Sequence, residues 1–323
     1  MTTITGEPPM APSPPAPRGT NWALEKTGFP KALAALRGAP DPGRIAIIDN
    51  GNGALSNGAF AKNDIEYVGP ADLASAGLAA PKSESAGSHA AEVAGVIALA
   101  CPEAELTVFN VAPRSGVDRE LFLNALDAVR KDGRYCVVNV SLGWLDRDPR
   151  VDQAILDTVN DGIVVVAAMG ELEEPSDFVS YPAACKGVIA VGATDRFDLR
   201  VPGSSIGEHI WLGAPGEDIP TVVTDSNIGL RSGTSFAAAL VSAAAWLALR
   251  TLAVSAHRGR SADATRVETV RKLLGKSADT GRVTTPPPRT LQAVPPNGLW
   301  NMAVGCGRLD VAELVRLQAP TSA

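Results

Sequence analysis

The chain has 323 residues, 45% of them hydrophobic, which is enough for one large domain or two ordinary ones. Its net charge of -6 and its lack of a basic run argue against nucleic acid or an anionic membrane as the main partner. No uncharged apolar run is long enough to predict a membrane span. Residues 1–20 are rich in proline and lack the basic start and apolar block of a secretion signal. They predict a disordered tail on a cytoplasmic protein.

Short apolar runs and helical periodicities alternate along the chain. Buried strands are predicted at Arg44–Asp49, Leu106–Ala112, Cys136–Gly143, Gly162–Gly170 and Val188–Thr194. Helices are predicted at Ser88–Ala100, Asp118–Lys131, Asp152–Asn160 and from Ser235 to Arg250, with a loop over residues 71–88. Continuous apolar strands joined by helices predict an α/β fold, with a mostly parallel sheet covered on both faces.

Four cysteines stand far apart in the chain and follow neither metal-site spacing nor a dense disulfide pattern. They are Cys101, Cys136, Cys185 and Cys306. Because three of them adjoin apolar runs, we expect buried free thiols in a reducing compartment.

Ser235 lies in the first turn of a helix that is apolar on every side, which predicts a helix buried in the core. The start of a helix leaves backbone N–H groups unpaired and carries a partial positive charge. A serine there has an exposed hydroxyl and donors for a developing oxyanion. The alternative is that Thr234 or Ser235 only caps a core helix.

Two other polar residues are predicted near Ser235. Asp49 ends a strand, and His89 lies on the inward face of the first turn of a helix. Parallel sheets bind ligands beyond the carboxyl ends of their strands, and a helix that follows a strand begins on that side. We therefore expect Asp49, His89 and Ser235 to face one crevice, together with the strand ends at Ser141–Gly143 and Met169–Gly170.

Several motifs are weak signals. Gly203–Gly207 matches the G-x-S-x-G pattern but lacks the strand before it and the helix after it. The glycosylation sequon at Asn139 falls in a predicted buried strand. His209 and His257 have no partners at metal-ligand spacing, and we interpret them as structural or surface residues. The acidic cluster at residues 171–174 is typical of a solvated loop.

The segments around the three polar residues resemble the subtilisin-like serine peptidases, or subtilases. These segments are Ile45–Gly51, His89–Gly95 and Gly233–Ala238, and the order Asp, His, Ser is that of subtilisin. Other similar blocks are Asn21–Pro30, Val138–Gly143, Val166–Ala168, Tyr181–Ala183, Val191–Asp195, Gly213–Gly216 and Gly305–Asp310. The resemblance implies a three-layer subtilisin-like fold in a peptidase domain over residues 21–317. A proline-rich loop at 280–299 and a tail at 318–323 complete the predicted organisation.

The resemblance also implies roles for the residues. Ser235 is the expected nucleophile, His89 takes and returns its proton, and Asp49 orients the histidine. The Ser235 N–H is one oxyanion donor. The second donor in the family is an asparagine, whose position falls on Gly170, and a backbone N–H of that turn is the candidate replacement. Losing one donor typically costs about 10²–10³ in turnover.

The residues implied in substrate binding are Ser141, Leu142, Gly143, Ala168, Met169 and Glu171. Ser141–Gly143 is expected to pair with an extended substrate as an added strand. Glu171 at the primary specificity pocket indicates a preference for Lys or Arg, although a solvated loop glutamate fits the sequence equally well.

The predicted function is a serine endopeptidase that is slow or restricted in its substrates. The alternative is a weakly active or inactive domain that binds peptide or a partner protein in the same groove, and an esterase is a third interpretation. No cofactor or metal site is predicted, although the resemblance allows calcium, for which the sequence offers no ligand set. The expected partner is a peptide or protein substrate, with room for a regulatory protein. If the tail covers the cleft, deleting residues 1–20 raises activity.

Overall fold

The computed structural model describes residues 21–51, 55, 57–74, 89–112, 116–171, 179–224, 227–255, 264–281 and 299–318. The predicted tail at 1–20 lies outside these residues, as do His257, most of the loop at 71–88, nearly all of the proline-rich loop at 280–299 and residues 319–323 of the tail predicted at 318–323. The predictions made for those segments concern residues that the structure does not describe. Gln318, by contrast, ends a helix, and residues 71–73 of the predicted loop are helical.

Seven parallel strands form the central sheet. They are β1 (Arg44–Asp49), β2 (Ile65–Val68), β3 (Leu106–Asn110), β4 (Tyr135–Val140), β5 (Val164–Ala168), β6 (Ile189–Thr194) and β7 (Ile210–Pro215), in the order β2-β3-β1-β4-β5-β6-β7. Every neighbouring pair is parallel. A separate antiparallel hairpin consists of β8 (Ile219–Thr224) and β9 (Asn227–Arg231). All five predicted strands are confirmed, whereas β2, β7 and the β8–β9 hairpin are not among them.

Helices cover the sheet on both faces. In chain order they are α1 (Trp22–Thr27), α2 (Phe29–Ala35), α3 (Pro70–Leu73), α4 (His89–Ala100), α5 (Arg119–Asp132), α6 (Pro149–Asn160), α7 (Thr234–Ser255), α8 (Ala264–Ser277) and α9 (Val311–Gln318). Helices α4 and α7 contact each other and the sheet, and α5 and α6 form a second such pair. Because every strand of the central sheet except β2 is buried along its whole length, both faces must be covered. The predicted three-layer α/β fold is confirmed.

Helix α7 runs through the core, as its all-round apolar sequence predicts. Every residue from Phe236 to Arg250 is buried. The Trp246 indole donates to the carbonyl of Gly43 at 2.8 Å. Among the described helices, one stretch, Thr234–Leu252, is long and apolar enough to cross a membrane. Since 89% of that stretch is buried inside the protein, its composition is that of a core helix.

The four cysteines are buried and free, as their surroundings in the sequence predict. Burial raises the pKa of the Cys306 thiol to about 12, and it also raises the pKa of Cys101 and of Cys185. These thiols therefore stay protonated and pack as small apolar side chains.

Candidate active site

The register of the sheet brings several strand ends to one edge. Ile48 of β1 lies beside Val140 of β4, and Val140 lies beside Ala167 of β5. The residues that follow each of these positions therefore meet at the carboxyl edge of the sheet. They include Asp49 and Ser141, two of the predicted site residues.

Asp49 and His89 are joined by a direct hydrogen bond. The Asp49 Oδ1 lies 2.7 Å from Nδ1 of His89 and also accepts the backbone N–H of Asn50 at 2.7 Å. The Asp49 side chain is 0% exposed, whereas that of His89 is 32% exposed. The Ala90 N–H donates to the Asn50 carbonyl at 3.0 Å, so the start of α4 is held against the end of β1. This arrangement fixes the histidine while leaving one side of its ring open.

The surroundings of His89 favour its charged form. Burial lowers the pKa of the imidazole. The charge of Asp49, the hydrogen bond to Asp49, and the charges of Glu92 and Glu171 together raise this pKa by a larger amount. The net result is a pKa above the ordinary value of 6.5. A histidine that receives a proton next to Asp49 is therefore stabilised.

Ser235, the second residue of α7, lies at the same edge. Its hydroxyl donates to the Ser141 carbonyl at 3.3 Å, and the Ser141 hydroxyl donates to the Ser235 carbonyl at 3.1 Å. The ring centroid of His89 lies 6.0 Å from that of Phe236, the residue after Ser235. The structure thus joins Asp49 to His89 and places the first turn of α7, which bears Ser235, beside the histidine ring. Among the described contacts, the Ser235 hydroxyl donates to the Ser141 carbonyl and not to the imidazole, so proton transfer to His89 requires the hydroxyl to leave Ser141.

A buried chain of hydrogen bonds supports Ser235 from beneath. Asn139 donates from Nδ2 to the Ser141 hydroxyl at 2.9 Å and accepts from the Ser242 hydroxyl at 2.9 Å. Asn139 and Ser242 are both 0% exposed. These hydrogen bonds connect β4 to Ser242 of α7, which follows Ser235 in the same helix. Sequence reasoning missed this support, although a polar Asn139 within an apolar strand was the available signal.

The turn after β5 differs from the sequence expectation. Gly170 has a φ of +86°, and its N–H donates to the Thr234 hydroxyl at 3.0 Å. That N–H is therefore hydrogen-bonded within the protein, and its role as the replacement oxyanion donor stays a prediction. Instead, the Glu171 carboxylate reaches the start of α7, where its Oε1 accepts the Thr234 N–H at 2.6 Å and the Thr234 hydroxyl at 2.7 Å. The Glu171 side chain thus points toward α7, the helix that bears Ser235.

A cleft of about 310 Å³ opens beside Ser235. It is lined by Ser141, Leu142, Gly143, Trp144, Leu145, Ala168, Gly170, Glu171, Ser180 and Ser235. Five of the six residues predicted to bind substrate are in this lining. The sixth, Met169, is 0% exposed and faces the core, because successive side chains point to opposite sides of an extended strand. The prediction that Met169 contacts substrate was wrong.

Residues 44–298 match the model of the Peptidase_S8 (subtilase) family. The chain belongs to the subtilase family. It is 28% identical to Subtilisin Savinase of Lederbergia lenta over 237 residues, which cover 70% of this chain and 82% of that protein. It is 30% identical to Subtilisin DY of Bacillus licheniformis over 230 residues, or 67% of this chain and 81% of that one. These relatives identify a subtilisin-like serine protease, a hydrolase.

Solved structures agree with the fold. The structure of a lanthipeptide protease superposes on this subtilase with a TM-score of 0.71 and covers 92% of this chain and 93% of its own. The two chains are 19% identical, so this likeness supports the architecture alone.

The weak motifs in the sequence prove to be structural. Ser204 and Ser205 of the G-x-S-x-G match are 2% and 4% exposed, and Ser204 accepts the Ala193 N–H at 3.0 Å. His209 is partly buried, and the loss of solvent lowers its pKa to about 4. Within the described residues of this subtilase, no group of three or more His, Cys, Asp or Glu side chains could hold a metal ion.

Three residues of the cleft were missed by sequence reasoning. Trp144, Leu145 and Ser180 line it, and Leu145 is 49% exposed. The Trp144 N–H donates to the Tyr181 carbonyl at 2.9 Å, which joins two loops that are far apart in the chain. The apolar residues that follow the end of β4 were the only sequence signal for this side of the cleft.

Proposed function

We propose that this subtilase is a serine endopeptidase in which Ser235, His89 and Asp49 form the catalytic triad. The observation that carries the proposal is the 2.7 Å contact between Asp49 and His89 Nδ1 beside the first turn of the helix that bears Ser235. With Nδ1–H bonded to the carboxylate, Nε2 is the ring nitrogen left to accept a proton.

The reaction follows from these positions. The Ser235 oxygen bonds to the scissile carbonyl carbon while its proton passes to His89 Nε2, and the carbonyl π electrons move to the oxygen. The intermediate collapses to an acyl-enzyme as the C–N bond breaks, and His89 gives its proton to the leaving amine. Water then attacks the ester, again giving a proton to His89, and Ser235 recovers its proton when the carboxylic acid leaves. Asp49 stays ionised and stabilises the charged imidazole.

An extended peptide fits the cleft beside Ser235. Residues Ser141–Gly143 continue β4 past the sheet edge, where their backbone can pair with substrate as an added strand. A Cβ at Gly143 would lie 2.9 Å from the Tyr181 carbonyl oxygen. Only glycine therefore allows the backbone at position 143 to lie this close to Tyr181. The net charge of -6 supports a peptide or protein substrate over nucleic acid.

A slow or substrate-restricted enzyme is favoured over a fast general one. The family asparagine that donates to the oxyanion is missing, the Gly170 N–H is occupied, and a carboxylate lies at the start of α7. The same observation supports the second candidate, an inactive domain that holds peptide in the cleft.

A fluorophosphonate probe separates the two. We expect the probe to label the wild-type protein and the labelling to disappear in Ser235→Ala. Ser205→Ala removes the serine of the rival motif and is the matched control, which should label like wild type. Peptide and ester substrates are assayed in parallel.

Labelling with ester hydrolysis but no peptide cleavage would support a non-peptidase hydrolase instead. Absence of labelling from a folded wild-type protein that still binds peptide would overturn the triad proposal in favour of the binding domain.

A further inference from the structure

A second cavity of the protein, of about 230 Å³, shares no lining residue with the cleft at Ser235. Its lining includes the apolar side chains of Ala183 and Val188 and the polar side chains of His209 and Arg271. Because neither polar residue belongs to the proposed triad, the hydrolysis described above gives this cavity no role.

The Arg271 guanidinium is held at the cavity without a hydrogen bond to any described residue. Its side chain is 12% exposed, and its Nε is buried. Its ion pair with Glu268 spans 4.0 Å from Nη1 to Oε2, which is too long for a hydrogen bond. Burial lowers the pKa of Arg271, as expected for a charge that has lost solvent without gaining a close partner. Since buried donors are almost always bonded, these N–H groups are suited to an acceptor that the described residues do not supply.

Trp211 holds the guanidinium in place. Cζ of Arg271 lies 4.0 Å from the centroid of the Trp211 ring, and the Trp211 indole donates to the Arg271 carbonyl at 3.1 Å. Trp211 is buried, so it forms a fixed platform beneath the cation. A guanidinium packed on a ring still directs its N–H groups outward in its own plane. That edge matches the two oxygens of a carboxylate, which a guanidinium binds through two parallel hydrogen bonds.

The other groups at the cavity favour an anion with a single charge. His209 Nε2 is buried without a hydrogen-bond partner among the described residues, and with a pKa of about 4 the imidazole is neutral at neutral pH. It therefore offers a hydrogen bond and no charge. Arg271 is the only Lys or Arg in the described lining, which also contains the exposed Glu208. One guanidinium balances a monoanion, whereas Glu208 opposes a second negative charge.

We propose that this cavity binds a small organic monocarboxylate. The two carboxylate oxygens accept from the Arg271 guanidinium, and a short aliphatic chain packs against Ala183 and Val188. His209 donates a further hydrogen bond from Nε2, with Nδ1 as its unprotonated ring nitrogen. Ordinary ligand pockets measure about 300–1,000 Å³, so a cavity of about 230 Å³ fits a molecule no larger than a short fatty acid such as butyrate.

Calorimetric titration of the full chain with butyrate at neutral pH tests the proposal. We expect butyrate to bind with a Kd of about 1 mM, because so small a molecule makes few contacts. Butyramide has nearly the same shape without the charge and should bind about 10-fold more weakly. Inorganic phosphate should also bind more weakly than butyrate, since its second charge is opposed by Glu208.

Variants of α8 assign the binding to Arg271. Arg271→Lys should weaken butyrate binding by about 10-fold, because an ammonium group does not bind both oxygens in one plane, and Arg271→Met should abolish it. Lys272→Gln is the matched control, since it removes the exposed cation next to Arg271 and should bind like wild type. Ser235→Ala should also bind like wild type, so the fate of this site is separate from that of the triad.

Imidazole NMR signals locate butyrate without altering Arg271, which keeps the test decisive if Arg271→Met does not fold. Butyrate should shift the signals of His209, assigned by their loss in His209→Gln, and leave those of His89 in place. No binding by the folded wild type, equal binding of butyramide, or tighter binding of phosphate would overturn the proposal. So would full affinity in a folded Arg271→Met, or a shift at His89 instead of His209, which would place butyrate in the cleft.

Discussion

Asp49 uses one carboxylate oxygen for two hydrogen bonds. Oδ1 accepts from the Asn50 backbone and from His89 Nδ1, while Oδ2 is buried without a hydrogen-bond partner among the described residues. A buried carboxylate with one free oxygen gains stability from any positive charge that forms beside it. The side chain is therefore suited to stabilising the imidazolium that appears during catalysis, in addition to selecting the histidine tautomer.

Replacing this carboxylate should reveal both effects. We expect Asp49→Asn to lower kcat by about 10⁴-fold, because an amide can hold the wrong tautomer and carries no charge. The pKa of His89 should fall below its wild-type value, since burial, which lowers it, remains after the main opposing group is gone. Peptide hydrolysis and the pH dependence of the imidazole NMR signals measure the two.

Asp127→Asn is the control, because Asp127 is an exposed residue of α5 paired with Lys131. It should leave both quantities unchanged. A variant at Asp49 with an unaltered His89 pKa would contradict the assigned cause of the raised value, whatever its rate.

The position of His89 depends on how α4 packs against the β8–β9 hairpin. The Thr221 hydroxyl of β8 donates to the Glu92 carbonyl of α4. A Cβ on Gly95 would lie 2.5 Å from the Thr221 Oγ1 and 2.8 Å from the Val222 backbone nitrogen. Contacts of that length are closer than carbon atoms tolerate, so glycine is what allows the helix to pack this closely on the hairpin.

The variant Gly95→Ala places two effects in opposition. Alanine favours an isolated helix by about 1 kcal/mol, but the clash with backbone should cost about 1–3 kcal/mol and push α4 from the hairpin. We expect a lower free energy of unfolding and a kcat reduced by about 10- to 10²-fold, because His89 moves with the helix. Denaturant unfolding and peptide hydrolysis measure the two.

Gly58→Ala is the matched control. Nothing lies within 4 Å of a Cβ at Gly58, so that variant should match wild type in both assays. Stability gained by Gly95→Ala would show that the hairpin yields and that its contact with α4 does not set the position of His89.

The strands and helices of this protein that have a clear hydrophobic periodicity could be predicted from the sequence. The uninterrupted apolar run of β1 predicts a buried strand, and the apolar circumference of α7 predicts a buried helix. Both predictions were confirmed. The polar Asp49, His89 and Ser235 could be placed because chain order determines which end of a parallel sheet each one reaches. The resemblance to subtilases supplied their roles.

Contacts between distant segments could not be predicted in the same way. The bond from Thr234 to Glu171 joins residues that are 63 positions apart, and no periodicity relates them. The same holds for the Gly170 N–H, whose partner depends on the rotamer of Thr234. Met169 was misplaced because one residue of register decides whether a side chain faces the cleft or the core.

Segments outside the family match complete the core. The match covers residues 44–298, yet Phe29, Trp300, Leu309 and Leu314 are all buried in the common core. The Trp300 indole donates to the Ile210 carbonyl of β7 at 2.9 Å. Helix α9, the last described element, packs against α2 near the start of the described chain and against the core helix α7.

A chain of residues 44–298 should therefore fail to fold cooperatively, whereas one of residues 21–318 should unfold like the full chain. Loss of these segments exposes the edge of β7 and the apolar surface beneath α9, which the remaining residues cannot cover. Trp300→Ala in the full chain is the milder version and should lower the free energy of unfolding by about 3–5 kcal/mol. Circular dichroism during thermal and denaturant unfolding measures all three. A cooperative transition in the 44–298 chain would show that the matched region folds alone and that the flanking helices are accessory.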